Sequence, residues 1–411
     1  LALGVLYTWS VISKGIPESW GWSEADKSWP YSICCLVFCL VMVPAGRMQD
    51  RVGPRMVAAV GGVLVGLGLI IASLTTSALG FVIGFGILAG AGIGCGYASA
   101  TPPAIKWFSS AKTGMIAGLV VSGFGLASVY IAPLANKLIA TYGVSSTVRW
   151  FGIGFLIAVV LLAQLLRAPP EGYVAPETKK EAAARVASGG DVDVAPSAML
   201  KTKQFYLLWF LYACGAGAGL MVIAKLAAIA QVQAGIVMGF LLVAVLAVGN
   251  GAGRILAGSH SDIIGRKLTL CGNFVAQAVL IVLLSQVQEG GALASILVLA
   301  LISAAIGACY GANLSLFPAI TKDYFGSKNF GMNYGLVFTA WGVGGFMLAL
   351  LAGQVYDRTQ SFDFAYYCSV GLPILAALAT LALKPPRREP ETVPPRVLPT
   401  APRPTRERLH N

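Results

Sequence analysis

The chain has 411 residues, 57% of them hydrophobic and only 11% charged, with a mean hydropathy of +0.76. A soluble domain carries about a quarter charged residues, so this composition excludes an ordinary soluble protein and places the chain in lipid. The net charge of +12 lies between apolar runs and in the C-terminal tail, not on a basic face with stacking aromatics, which excludes nucleic-acid recognition.

Apolar runs recur at about 20 residues, the length a bilayer requires. They are predicted at 1–16, 29–46, 55–74, 77–102, 112–137 and 147–166, and again at 204–230, 236–259, 268–288, 291–318, 329–355 and 363–383. The expected fold is all-α, with twelve transmembrane helices in two pseudo-symmetric six-helix bundles. The bundles span 1–166 and 204–384, joined by a linker at 167–203 and followed by a basic tail at 385–411. The first run is short and the chain opens without Met, so the sequence is expected to begin inside the first helix. The linker mixes charges with Ala, Gly and Pro and reads as a solvated connection with a short surface helix near 178–186. The tail, rich in Pro and Arg, is expected to be disordered.

Arg47, Arg51, Arg55, Lys106, Lys112, Arg266, Lys267, Lys322 and Lys328 fall on one side of these spans; Lys27, Arg149 and Arg358 fall on the other. The positive-inside rule makes the first side cytoplasmic, with both termini there, in a plasma or inner membrane. Seven of the eight cysteines lie inside apolar segments without metal or disulfide spacing and read as small core residues. No catalytic triad, P-loop or zinc-protease motif is present. An enzyme, an ATP-driven pump, a resident cofactor and a metal centre are therefore not expected.

Two segments repeat between the halves. Gly46-Arg-Met-Gln-Asp50-Arg-Val-Gly53-Pro-Arg55 matches Gly258-Ser-His-Ser-Asp262-Ile-Ile-Gly265-Arg266-Lys267, and Gly114-Met115 with Gly118 matches Gly331-Met332 with Gly335. Head-to-tail halves with a binding site near the midplane are a transporter architecture. In the repeated loops Asp50 and Asp262 can pair with Arg55 and Arg266 or cap a neighbouring helix start, forming a conformational latch. Their alternative is a plain solvated turn.

Arg254 is the candidate site residue. It lies two turns before Asp262, about 12 Å into its helix at about 1.5 Å per residue. A charge there costs at least a few kcal/mol, and the carboxylates of the second half, Asp262, Asp323, Asp357 and Asp363, all lie near helix ends. A planar guanidinium without an internal carboxylate suits a carboxylate substrate; the competing reading pairs it with carbonyls or lets it snorkel. Lys14 and Lys225, in the outer parts of the first and seventh helices, are further cations. Lys14 is a candidate for substrate or proton handling, and Lys225 is expected to reach the outer interface. Tyr97, Tyr310, Asn313, Asn333, Tyr334, Phe338 and Trp341 put polar or aromatic groups into helices four, ten and eleven. His260 and Asp262 are candidate proton carriers, though a histidine in that position reads more simply as an interface residue.

The loop motif and the duplication resemble the major facilitator superfamily across essentially the whole chain. Ser28-Trp29-Pro30-Tyr31-Ser32-Ile33, Arg51-Val-Gly53-Pro-Arg55 and Arg254 look like the monocarboxylate transporters, including their bacterial lactate-transporting homologues. Tyr7-Thr-Trp9-Ser10, Arg254 to Arg266 and Asn333-Tyr334-Gly335 also look like the bacterial oxalate–formate antiporter. The resemblance implies a cavity bordered by helices one, four, seven and ten, with Tyr97 and Tyr310 as hydroxyl donors. It also implies alternating access and proton symport of a small monocarboxylate anion by a chain that functions as a monomer. Two positions depart from it. The exchanger's second cation, a helix-eleven lysine, falls at Trp341. The aspartate one turn before the arginine in the animal transporters falls at Asn250, which leaves the proton carrier open.

Overall fold

The structure is a computed structural model that describes residues 4–109, 112–170, 173, 176, 193–236 and 239–386. Among the described residues every regular element is helical. The N-terminal half comprises α1 (4–14, a 3-10 turn running into Trp9–Lys14), α2 (Glu24–Val52), α3 (Pro54–Ala72), α4 (Ala78–Lys106), α5 (113–142) and α6 (144–163). The C-terminal half comprises α7 (Lys203–Ala234), α8 (Gly239–Ile264), α9 (Arg266–Ser285), α10 (Ile296–Phe325), α11 (Phe330–Thr359) and α12 (Asp363–Thr380). Ten segments of the described residues are long and apolar enough to cross a membrane, and one of these, Thr113–Ala163, is 51 residues long. It contains two spans, because Gly143 leaves the helical region with φ 78° and ψ 173°. With the short α1, the twelve expected helices are accounted for.

Most helices run past the apolar stretches that announce them. α2 begins at Glu24 rather than 29, because Ser23 and Asp26 form a capping box that satisfies the first turn. It ends at Gly53, whose φ of 87° reverses the chain into Pro54, and Gly265, with a φ of 96°, does the same between α8 and α9. Only glycine takes that conformation without strain. The motif repeated in sequence is thus a repeated turn in space. Leu67, Ile71, Leu161, Leu268, Leu297 and Leu301 lie exposed on the bundle exterior, as expected of surfaces that face hydrocarbon.

The halves meet along two seams, α2 against α11 and α5 against α8. One face of the bundle, here the basic face, carries the two glycine turns. Towards that face α5 and α8 approach backbone to backbone: a Cβ on Gly118 would lie 2.2 Å from the Arg254 carbonyl oxygen. That approach presses the Arg254 turn of α8 against the N-terminal half. The end of the linker departs from the expected solvated connection. Val194 donates its N–H to the Phe325 carbonyl at 2.9 Å, Asn333 donates to the Val194 carbonyl at 3.0 Å, and Met199 is buried. Polar groups left open at the α10–α11 turn draw this segment in. The helix expected at 178–186 and the tail from 387 lie outside the described residues.

Candidate substrate site at the seam of the halves

Arg254 is fully buried, with 0% of its surface exposed. Its guanidinium meets only neutral oxygens. Nε donates to Asn250 Oδ1 at 2.9 Å, Nη2 to the Tyr7 hydroxyl at 3.2 Å, and Nη1 to the Val121 carbonyl on α5. No carboxylate of the described residues pairs with it. Part of its requirement is met by a carbonyl, as the competing sequence reading held, but its charge is not neutralised. It does not snorkel to either face.

A hydrogen-bond chain leads away from it. The Tyr7 and Tyr310 hydroxyls lie 2.8 Å apart, and Trp341 Nε1 donates to Tyr310 Oη at 2.8 Å. The chain therefore links α8, α1, α10 and α11, crossing between the halves at Tyr7. Aromatic rings enclose it. Phe338 stacks on Trp341 at 4.9 Å, Phe38 of α2 lies 4.9 Å from Trp341, and Tyr97 packs 5.3 Å from Phe338 and 5.4 Å from Phe124. Tyr334 joins through Phe338 at 5.7 Å and through the Tyr212 hydroxyl at 3.5 Å. All of these rings are buried, so the centre is closed from both faces. Two polar groups here lack a hydrogen bond of acceptable geometry: Asn250 Nδ2, and the Tyr97 hydroxyl close to that of Tyr334. Buried polar groups of this kind are rare in proteins.

Tyr97, Tyr310, Tyr334, Phe338 and Trp341 thus gather with Arg254. Three other candidates do not. Asn313 is turned into the C-terminal half, bonded to Asn273 at 3.4 Å and to the Cys309 carbonyl at 3.3 Å. His260 is exposed on the last turns of α8. Lys14 borders a separate cavity of about 210 Å3 with Val11, Asn136, Ile139, Ala227 and Phe240, at the face opposite the basic one. Asn250 and Tyr7 entered the sequence reading only as positions of the resemblance, not as contacts of Arg254. Tyr7 stands on the first helix with the same signal, a phenol in an apolar span, that singled out Tyr97 and Tyr310.

The ends of the seam carry the remaining charges. On the basic face Asp262 accepts the Gly114 and Met115 N–H groups at 3.3 and 3.0 Å, capping the start of α5. Arg266 clamps it, bonding Asp262, Ser261 at 2.6 Å and Asp323 at 2.9 Å. Lys322 adds a bond across the halves to Thr113 at 2.9 Å. The equivalent Asp50 pairs with Lys106 at 2.9 Å within its own half, while its other carboxylate oxygen lies against Gly331 at the start of α11; Arg55 is exposed. On the opposite face Asp357 accepts the Glu24 and Ala25 N–H groups at 3.0 and 2.8 Å, capping α2. Beside it the Lys225 side chain is buried and bonds Glu24 at 3.0 Å. Lys225 therefore does not reach the interface as expected: α2 starts a turn early and brings a carboxylate within its reach.

Twelve helices in two repeated halves, with a lone cation at their closed seam, define a multi-pass membrane transporter rather than an enzyme. The sequence profile of the Major Facilitator Superfamily matches residues 1–243 and 229–410, and the chain belongs to that family. It is 26% identical over 352 residues to the uncharacterized MFS-type transporter YhjX of Escherichia coli, covering 84% of this chain and 82% of that one. It is 27% identical over 339 residues to the oxalate:formate antiporter of Oxalobacter formigenes, covering 82% and 77%. Mouse monocarboxylate transporter 11 matches at 29% over 162 residues, 39% of this chain and 35% of that one. Among solved structures, the transporter FucP in its outward conformation superposes with a TM-score of 0.60 at 14% identity, covering 93% of this chain and 97% of that one. This last likeness bears on the fold alone.

Proposed function

We propose that the protein carries a small monocarboxylate, L-lactate foremost, together with a proton by alternating access. The observation that carries this reading is the Arg254 guanidinium, fully buried and bonded only to neutral groups. A buried cation without a counter-charge is unfavourable, and a carboxylate bound across its fork relieves that cost with charge-assisted hydrogen bonds. Asn250 Nδ2, which has no hydrogen-bond partner, and the Tyr97 hydroxyl, which meets that of Tyr334 in poor geometry, supply further donors. The wall formed by Phe38, Phe338 and Trp341 is apolar and leaves no second cation beside the first, which favours one carboxylate on a short tail over a dicarboxylate.

In this reading the basic face is cytoplasmic, both termini lie there, and the chain works as a monomer in a plasma or inner membrane. The halves rock about the occupied site. The Asp262 cap closes the basic face, while the Asp357 cap and the Glu24–Lys225 pair close the other. A neutralised Arg254 enters the closed state more readily than a bare one, which ties closure to loading. Coupling to a proton rests on the family resemblance; with Asn250 beside Arg254, the proton is not held by a carboxylate next to the guanidinium.

A second reading, exchange of one carboxylate for another, is favoured by the likeness to the oxalate:formate antiporter. One experiment separates the two. Labelled L-lactate uptake into proteoliposomes is measured under an imposed inward proton gradient without internal substrate, with pyruvate, acetate, formate and oxalate as competitors. Symport gives accumulation that collapses with the gradient, whereas exchange requires internal carboxylate. Wild-type uptake by Arg254→Ala would overturn both.

A further inference from the structure

The hydrogen-bond chain leading from Arg254 has a property that none of its members has alone. A guanidinium donates hydrogen bonds and cannot accept them, and the same holds for an indole N–H. Arg254 Nη2 closes one end of the chain at the Tyr7 hydroxyl, and Trp341 Nε1 closes the other at the Tyr310 hydroxyl. Between them stand two hydroxyl oxygens 2.8 Å apart. They carry two protons, and only one fits between the oxygens. Whichever way the pair is oriented, the second O–H has no acceptor within the chain, and both phenols are buried away from water.

We infer that Trp341 is a positioning residue that fixes the Tyr310 hydroxyl without accepting its proton, so that the Tyr7–Tyr310 pair presents its spare hydroxyl proton to an anionic oxygen of the substrate. The inference rests on the reading that the site takes a carboxylate. The indole is held in this role by packing: it stacks on Phe338 with planes 21° apart and abuts Phe38 of the opposite half. It cannot swing aside to release Tyr310 without dismantling the aromatic wall. An acceptor at the same position would take the spare proton inside the protein, and the hydroxyl pair would no longer favour an anion. Trp341 so determines specificity without touching the charge that binds the substrate.

Two substitutions separate this from simple packing. Trp341→Phe removes the indole donor and offers no acceptor, so the surplus survives. Trp341→Gln puts beside Tyr310 an amide that can present either its oxygen or its NH2, and the oxygen is the favoured face because it takes up a buried O–H that otherwise has no acceptor. In the full-length protein reconstituted in proteoliposomes, KM for L-lactate should rise no more than about threefold in Trp341→Phe. It should rise about tenfold in Trp341→Gln with Vmax little changed, the effect of losing one hydrogen bond to a charged group. Repeated in a Tyr310→Phe background, where the relay is cut, the two substitutions should become equal. Trp341→His, with an imidazole acceptor, serves where the glutamine variant does not fold and should follow it.

The inference is overturned if the acceptor variant transports like the phenylalanine variant, or if their difference persists without the Tyr310 hydroxyl. Absence of saturable monocarboxylate uptake in the wild type is a different result, since it removes the carboxylate reading itself and this inference with it.

Discussion

At each face of the bundle a carboxylate of the C-terminal half closes onto helix-start amides of the N-terminal half, whereas midway between them the seam holds a cation with no carboxylate. Asp262 caps α5 on the basic face, and Asp357 caps α2 on the other, where Lys225 and Glu24 add an ion pair. Arg254 meets an amide, a carbonyl and a phenol. The ends are satisfied by the protein itself and hold the halves together. The centre is satisfied only in part, and no carboxylate of the described residues supplies the negative charge it lacks. Under the proposed function, closure is held at the ends of such a molecule and the demand for a ligand falls in its middle.

The widest gap between centre and ends should open on removing the central charge. Arg254→Gln keeps length and polarity but cannot offer the charged fork. Loss of a charge-assisted, bidentate carboxylate contact is worth about 3 kcal/mol, or more than about a hundredfold in transport efficiency. Since a neutral side chain no longer buries a charge, the variant should fold at least as well as the wild type. Monodisperse protein without uptake is the expected outcome, and wild-type uptake would end the contrast drawn here.

Asp262→Asn tests the basic end. An amide still accepts one N–H from α5, but it loses the charge that complements the helix start and the Arg266 clamp. Helix-cap substitutions cost about 1 kcal/mol, so transport should fall about fivefold to tenfold through a closed state that forms less often. A cysteine placed at the start of α5 should label faster with an impermeant maleimide from the basic face. Unchanged labelling would make Asp262 a turn residue and nothing more.

The opposite end differs in one respect that gives a separate test. Lys225 is buried while Glu24 stays partly exposed and is shared with Lys27 at 2.9 Å. Glu24→Gln therefore strands a buried cation, whereas Lys225→Met leaves a carboxylate that still has Lys27 and water. The first should favour opening of that face more than the second, with a cysteine placed at Ala227 labelling several-fold faster in Glu24→Gln. Equal labelling in the two variants would show that the ion pair does not hold this face.

Much of this contrast was legible in the sequence, and what was not has physical reasons. The repeat of Gly53 and Gly265 told of two equivalent turns because only glycine tolerates a φ near 90°. Arg254 was legible because a charge inside an apolar run is costly and therefore conspicuous. The Glu24–Lys225 pair was hidden because α2 begins before its apolar run, at a cap whose extent depends on Asp357, more than three hundred residues away in sequence. Tyr7 was hidden for another reason: a phenol in a helix is ordinary until tertiary structure sets its oxygen between a guanidinium and a second phenol. Asn313 erred in the opposite direction. A polar side chain in α10 suggested the central seam, but its helical phase turns it toward Asn273 on α9, where it bonds neighbouring helices inside one half.

The finest test of the comparison lies within the centre. Tyr97 is surrounded by Phe38, Phe124 and Phe338, so removing its hydroxyl leaves the packing intact. That hydroxyl meets the Tyr334 hydroxyl only in poor hydrogen-bond geometry, and Tyr97→Phe should accordingly raise stability without lactate slightly or leave it unchanged, since a poorly bonded buried polar group is a cost. With substrate present the same hydroxyl has an acceptor, and losing it should raise KM about threefold to tenfold, the range of one modest hydrogen bond. The two effects run in opposite directions: apparent thermal stability no lower without lactate, and a smaller gain in stability when lactate is added. A hydroxyl serving only as packing would shift neither quantity, and one bonded within the protein would lower both. Opposed shifts would locate the missing acceptor on the substrate, next to the one charge that the seam leaves unanswered.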